Sequence, residues 1–296
     1  TMKNSVIKHN NYFNNGGGIY ISSSTIDLVN MVIDSNTVNS YSGGGIYING
    51  TFTDSSRISI DRSRIHYNSS SSGAGLYIYD YCSVLIENSS ISNNISSNDG
   101  AGIHNRGNLS LKNSKINYNQ GQYSGGGLYT IHKYSAHDVE FIGNQTNSGG
   151  GIYSTDGNNA SLPDTLFNCT IKNNYSTGSG GGVYYSGYRP YKMVNTLITD
   201  NTAGTEESNG VHGGGIYSYL NTPGEIHPTL INCTIANNKI NGTSVSSGGV
   251  YVQGQSIDVV NTIIWHNVLP NSLGGSPLNS NIESQSNTLD TDPLFT

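Results

Sequence analysis

An all-β, right-handed parallel β-helix of about ten coils, with three short strands to the coil, is the architecture that three features of this 296-residue chain require. Two short motifs alternate from one end of it to the other. Apolar residues follow period two wherever they cluster, and nothing sustains the 3.6 period of an α-helix. Charged residues make up 11% of the chain, against roughly 25% in ordinary soluble domains, while Gly supplies 38 residues and Asn and Ser about forty each.

The first motif reads Gly-Gly-Gly-Ile-Tyr at Gly16–Tyr20, Gly43–Tyr47, Gly125–Tyr129, Gly149–Tyr153, Gly180–Tyr184 and Gly213–Tyr217, with Leu or Val replacing Ile in some copies. Variants stand at Gly73–Tyr77, Gly100–His104 and Gly248–Tyr251, which makes nine copies. The second reads Asn-x-x-Ile-x-x-Asn, as in Asn30/Ile33/Asn36 and Asn113/Ile116/Asn119. It has ten copies, two of them degenerate (Arg62/Ile65/Asn68 and Asp138/Phe141/Asn144), and every one ends in Asn. Those final residues are Asn10, Asn36, Asn68, Asn94, Asn119, Asn144, Asn174, Asn201, Asn238 and Asn267.

Spacing separates the two junctions. From the central apolar residue of an Asn motif to that of the next Gly motif the step is 11 to 13 over seven coils, then 18 and 15. The return step varies from 13 to 19. A tight turn with a required backbone shape explains the first junction, and surface loops explain the second. The third strand of each coil is the apolar stretch that runs into the Asn motif, such as Ile58-Ser59-Ile60 or Leu109-Ser110-Leu111. Coils of 25 to 37 residues exceed the about 18 of a three-hexapeptide coil, which favours the right-handed type. Ten coils at ~4.8 Å give a rod of roughly 48 Å. The final Asn residues suit a stacked amide ladder, with left-handed backbone angles at the turn. Residues 1–267 are read as repeats and 268–296 as a tail that closes the last coil.

These residues resemble the polymorphic outer-membrane protein repeat, whose coils alternate a Gly-Gly-Ala-Ile type motif with Phe-x-x-Asn. They also resemble the wider class of bacterial secreted parallel β-helix proteins, where repeats finish with a stretch like Asn261-Thr262-Ile263-Ile264-Trp265 followed by Asp292-Pro293-Leu294-Phe295. The resemblance covers essentially the whole chain and implies an extracellular or cell-surface location. Ile stands in place of the family Phe everywhere but Phe141, and no membrane β-barrel follows in the sequence.

Composition bounds the partners. Thirteen basic residues in a chain of net charge −6 leave no electrostatic footprint for nucleic acid or anionic lipid. No apolar run reaches the length of a transmembrane helix. The chain opens without a signal peptide, as expected of a mature product, a fragment or a cytosolic protein.

Pectin-cleaving enzymes share this architecture, so catalytic constellations were sought. A lyase would need calcium-binding carboxylates beside a basic residue, and a hydrolase paired Asp residues with a Gly-His-Gly. Neither stands in the sequence; His212-Gly213 is a partial echo, and the adjacent Glu206-Glu207 reads as a solvated loop. The basic group Tyr188, Arg189 and Lys192 is read as an inter-coil loop that could hold a glycan acid. Asp290 and Asp292 could touch a cation, but a cap on the last coil is the simpler role. Cys169 and Cys233 share one inward repeat slot two coils apart, roughly 9.6 Å, beyond the ~7 Å reach of a disulfide. Cys82 has no aligned partner, the eight His residues are scattered, and neither metal nor cofactor is expected.

One surface pattern remains. Tyr20, Tyr47, Tyr77, Tyr129, Tyr153, Tyr184, Tyr217 and Tyr251 share one outward position, interrupted by His104. They form either a ladder that covers its own sheet by ring stacking or a platform for sugar rings. The function expected is an extracellular structural or adhesive β-helix of a cell surface or fibre, without catalysis. Its partner would be a surface glycan or protein, or another copy joined head to tail, with Asn261–Phe295 meeting Thr1–Tyr20. The alternatives are a polysaccharide lyase or glycoside hydrolase of the pectate-lyase-like fold, or a non-catalytic glycan-binding module.

Overall fold

The computed structural model describes residues 1–156, 163–220, 227–242, 247–254 and 256–267, together with the backbone of 284–286. The described residues form strands and turns only, wound into a parallel β-helix in which each strand pairs with its equivalent one coil away. Sheet 1 runs from Met2–Lys3 to Ser284–Ser286 and has eleven strands; sheet 2 runs from Val6–Lys8 to Ile263–Trp265 and has ten. Sheet 3 begins at Asn11–Tyr12 and sheet 4 at Ile19–Ser22, with nine strands each.

The three strands expected in each coil are sheets 1, 2 and 4. Sheet 3 is additional. Its strands are two residues long, such as Thr37–Val38 and Gln145–Thr146, and follow the final Asn of each motif from Asn10 to Asn238. A two-residue strand carries no alternation, so periodicity could not reveal it.

The left-handed corners also fall differently from expectation. The first residue of every Asn motif, from Asn4 to Asn261, has φ between 44° and 57°. So does, with a similar angle, the residue before the final Asn, including Tyr67, Tyr118 and Asn173. The final Asn itself is not among the left-handed residues. It must turn its amide inward, and the neighbour makes the bend.

The two motifs meet in space. A Cβ on Gly127 would stand 2.5 Å from the Gly151 carbonyl oxygen and 3.0 Å from Asn144 Nδ2. The third glycine of the motif thus lies flat against the amide column, where any side chain would collide. The same contact recurs between the third glycine of the motif and the final Asn of the next coil, and Gly215 keeps it against Asn238 even after the long step.

The interior is one long cluster, with a small satellite of Ala203, Val211 and Ile240 beside it. Ile33, Ile65, Ile91, Ile116, Phe141, Ile171, Ile198 and Ile235 stack in register along sheet 2, each with no exposed surface. Nearest-neighbour stacking of this kind is what stabilises a solenoid. The long return steps all open at the corner between sheets 4 and 1: after Ile46–Asn49, Ile152–Ser154 and Ile216–Leu220. The inserted segments Gly157–Pro163 and Leu220–Pro228 lie largely outside the described residues, as does the tail 268–296 apart from the backbone of Ser284–Ser286.

Candidate functional site

Two columns and one buried cluster carry the polar and aromatic residues singled out by the sequence. In the first, each ladder Asn donates from Nδ2 to Oδ1 of the next Asn along the chain, at 2.8–3.1 Å, from Asn10 to Asn267. The second Nδ2 proton goes to a backbone carbonyl of the preceding coil, as from Asn119 to Ile91. Each Oδ1 also accepts the backbone N–H of the preceding Asn, as Asn119 Oδ1 does from Asn94. An interior rung therefore uses both donors and both lone pairs of its amide, and Asn36 through Asn238 are buried. A hydroxyl column runs beside it: Ser63 Oγ accepts from Met31 N, Ser89 Oγ from Ser63 N and Ser114 Oγ from Ser89 N. Cys169 and Cys233 occupy this slot as buried free thiols with Thr196 between them, and burial pushes the Cys169 thiol up to about 11.

The second column is aromatic. From Tyr20 through Tyr251, successive ring centroids lie 4.5–5.6 Å apart. His104 continues the stack between Tyr77 and Tyr129 rather than interrupting it, and burial holds its imidazole neutral down to about 3. Tyr47, Tyr77 and Tyr217 are buried, and only Tyr20 in the first coil is widely exposed. The faces a sugar ring would need are covered by the neighbouring rings. His212 joins the far end, 4.3 Å from Tyr251.

The third group was misread in the sequence. Arg189 is buried rather than solvated: its Nη1 lies 3.5 Å from Asp164 Oδ1, and Asp164 is fully enclosed. Asp164 also accepts from Ser154 Oγ at 2.6 Å and from Tyr134 N at 3.2 Å. Burial pushes the Asp164 carboxyl up to about 6 against the pull of Arg189. Tyr134 and Tyr185 share a hydroxyl hydrogen bond of 2.6 Å, and Tyr185 stacks on Tyr191 at 4.2 Å. Lys192 points out from a strand, Tyr191–Val194, and Tyr188 is exposed, its N–H donating to Asp156. The three therefore form no common cationic site. Glu206 and Glu207 are exposed in a turn, as expected, and Asp290 and Asp292 lie outside the described residues.

Sequence reasoning also passed over Asp80 and Arg106, which pair across adjacent coils through two hydrogen bonds of 3.2 and 3.1 Å at the insertion corner. Only the register of the coils reveals them as neighbours. The exposed charges behave alike: Lys112 pairs with Glu87, Lys115 with Glu140 and Lys172 with Asp200, each reaching a neighbouring coil.

Searches among curated proteins and among solved structures gave no match. The family described as the right handed beta helix region matches residues 1–167, more than half of the chain. The match falls on the coils whose amide, aromatic and aliphatic columns are described above, and the chain belongs to the right-handed β-helix family.

Proposed function

We propose that the chain is a non-catalytic structural or adhesive rod of a cell surface or extracellular fibre, of the kind the polymorphic outer-membrane repeat resemblance implies. One observation carries this reading: the amide and aromatic side chains that could serve chemistry are spent on axial columns, rung by rung, from Asn10 to Asn267 and from Tyr20 to Tyr251. The cross-coil ion pairs use surface charge in the same way.

For the pectate-lyase-like alternative the strongest candidate is Asp164, a carboxyl raised towards neutrality beside an arginine and a tyrosine, as an acid or base needs. Its side chain is enclosed inside the coil, where no polymer reaches it. Head-to-tail assembly is the proposed mode of self-association. The amide ladder is polar: every rung donates towards the later coil, so only unlike ends continue it.

The test is direct. Purified protein is offered to cell walls and to plant and microbial polysaccharides while soluble ends are assayed and the particles are imaged. Retention on surfaces as rods or filaments, with no new sugar ends, is expected. Release of cleavage products that disappears in Asp164→Asn overturns the reading in favour of an enzyme.

A further inference from the structure

The turn from Tyr79 to Cys82 carries features that repetition does not demand. Tyr81 has φ of 60°, a left-handed geometry that bulky side chains seldom adopt, and it lies outside the corner columns of the Asn motif. Glycines of the two flanking coils admit it: a Cβ on Gly50 would meet the Tyr81 carbonyl oxygen at 2.9 Å, and one on Gly107 the Cys82 carbonyl oxygen at 2.6 Å. So held, the Tyr81 ring is 55% exposed and meets Phe52, 83% exposed, edge to face at 5.8 Å. These two rings stand free of the covered aromatic column.

Beside them Arg106 is fixed from two sides. It donates from Nε and Nη2 to the two carboxylate oxygens of Asp80, and its guanidinium lies 4.9 Å over the Tyr79 ring. A groove of about 290 Å³ lies here, lined by Asp80, Tyr81, Arg106, Asn108 and His132. Asn108 also borders a second depression of about 360 Å³, walled by Ser83, Ser110 and Lys133. Lys133 has no ion-pair partner among the described residues.

We propose that this groove binds a neutral saccharide, with a pyranose ring against Tyr81 and Phe52 and its hydroxyls on Asp80, Arg106 and Asn108. The inference rests on the adhesive reading and gives that adhesion its ligand. A pyranose presents an apolar face of C–H bonds and an equatorial rim of hydroxyls, and the groove offers both complements. Arg106 spends two of its five N–H donors on Asp80, and the carboxylate keeps free lone pairs. The pair is thus a rigid donor and acceptor fork for vicinal hydroxyls. Its charges cancel, and burial together with Arg189 pushes the His132 imidazole towards neutrality, so the aromatic end attracts no anion. Because the fork and the backbone that carries Tyr81 are held before any ligand arrives, little ordering cost attends their part in binding. A uronic acid would instead seek Lys133, past Asn108, away from the rings.

The experiment offers the full chain to immobilised neutral oligosaccharides (gluco-, manno-, galacto- and chito-series) and to uronic-acid oligomers. Retention on at least one neutral series is expected, with affinity falling about tenfold or more in Tyr81→Ala and in Arg106→Gln. Both variants should keep the parental melting temperature, and Lys172→Gln, outside the groove, should bind as the parent does. Retention on uronides alone, lost in Lys133→Gln and kept in Tyr81→Ala, overturns the proposal. So does adhesion to cell surfaces with no neutral sugar retained, an outcome that leaves the adhesive reading standing. Failure to adhere to any surface, with no sugar bound, removes both.

Discussion

Two halves of the rod share one backbone and fill it differently. On the third inward position of sheet 4, the early coils place Ile21, Ile48 and Ile78; the later ones place Asn105, Thr130, Ser154, Tyr185 and Ser218 before returning to Val252. Across the insertion corner, one inward position of sheet 1 runs Ile26, Ile58, Val84 and Leu109, then Tyr134, Asp164 and Tyr191. The opposite wall on sheet 2 stays aliphatic or aromatic throughout. The repeat therefore dictates a slot and its direction, while the content of the slot is free provided that its polar atoms find partners. Charge enters the interior beneath the corner where loops are inserted, whereas the slots flanking the amide ladder admit only neutral hydroxyls such as Ser89, Ser96 and Thr146.

The largest expected effect tests whether the ladder is what both halves share. Asn119→Ala removes an amide that makes four hydrogen bonds and strands buried partners on both sides, costing about 4 kcal/mol or more. Asn10→Ala, at an exposed first rung, should cost under about 1 kcal/mol. Equal losses by denaturant titration would show that burial along the ladder does not set its contribution.

Next comes the polar half. Arg189→Met leaves Asp164 as an uncompensated buried acid and should cost about 3–5 kcal/mol, whereas Asp164→Leu combined with Arg189→Met should recover most of it. A surface pair offers the contrast: Lys115→Met opens only the exposed contact to Glu140 and should shift stability by at most about 1 kcal/mol. A double-mutant cycle that finds no coupling between Asp164 and Arg189 would break the comparison.

Two buried titratable groups also answer pH with opposite signs. Folded Asp164 holds its proton up to about 6, whereas the unfolded chain releases it near 3.9. Its contribution is fully present below the lower value and declines as pH rises between the two, by on the order of 3 kcal/mol. Folded His104 stays neutral down to about 3, whereas the unfolded imidazole takes a proton below about 6.5. Its contribution is full above 6.5 and is lost as pH falls, by about 2 kcal/mol at pH 5. His104→Tyr, which gives that rung the ring of its neighbours, should remove the acid-side loss and leave the Asp164 slope in place. Melting curves from pH 4 to pH 8 on both proteins check this.

The repeat motifs made the stacking legible because Ile, Asn and Gly each answer one geometric demand in every coil. Ile91 and Ile116 must face inward, Gly127 must lie against Asn144, and the sequence states both by recurrence. What recurrence could not state is a residue that occurs once. Asp164 follows the inserted segment and reads, in isolation, as another loop acid; only the pairing of Asp164 with Tyr134 and Tyr191 places it inside. Arg189 was misjudged for the same reason. The tyrosine column was seen, but alternation alone cannot distinguish a ring lying open on a sheet from one covered by its neighbours. That depends on the distance between coils, and at 4.5–5.6 Å the rings close over each other.

The ladder has a mechanical consequence. Each rung ties together points that are close in space yet separated along the chain by 25 to 37 residues. Detaching one coil from an end gives up only ~4.8 Å of rod but releases an extended strand of roughly 85–125 Å at ~3.4 Å per residue. A rod pulled from one end would thus yield in steps, each rupture paying out slack many times the length it surrendered. Tension on whatever surface holds it would drop at every step, and the remaining coils, bonded only to their neighbours, would stay wound.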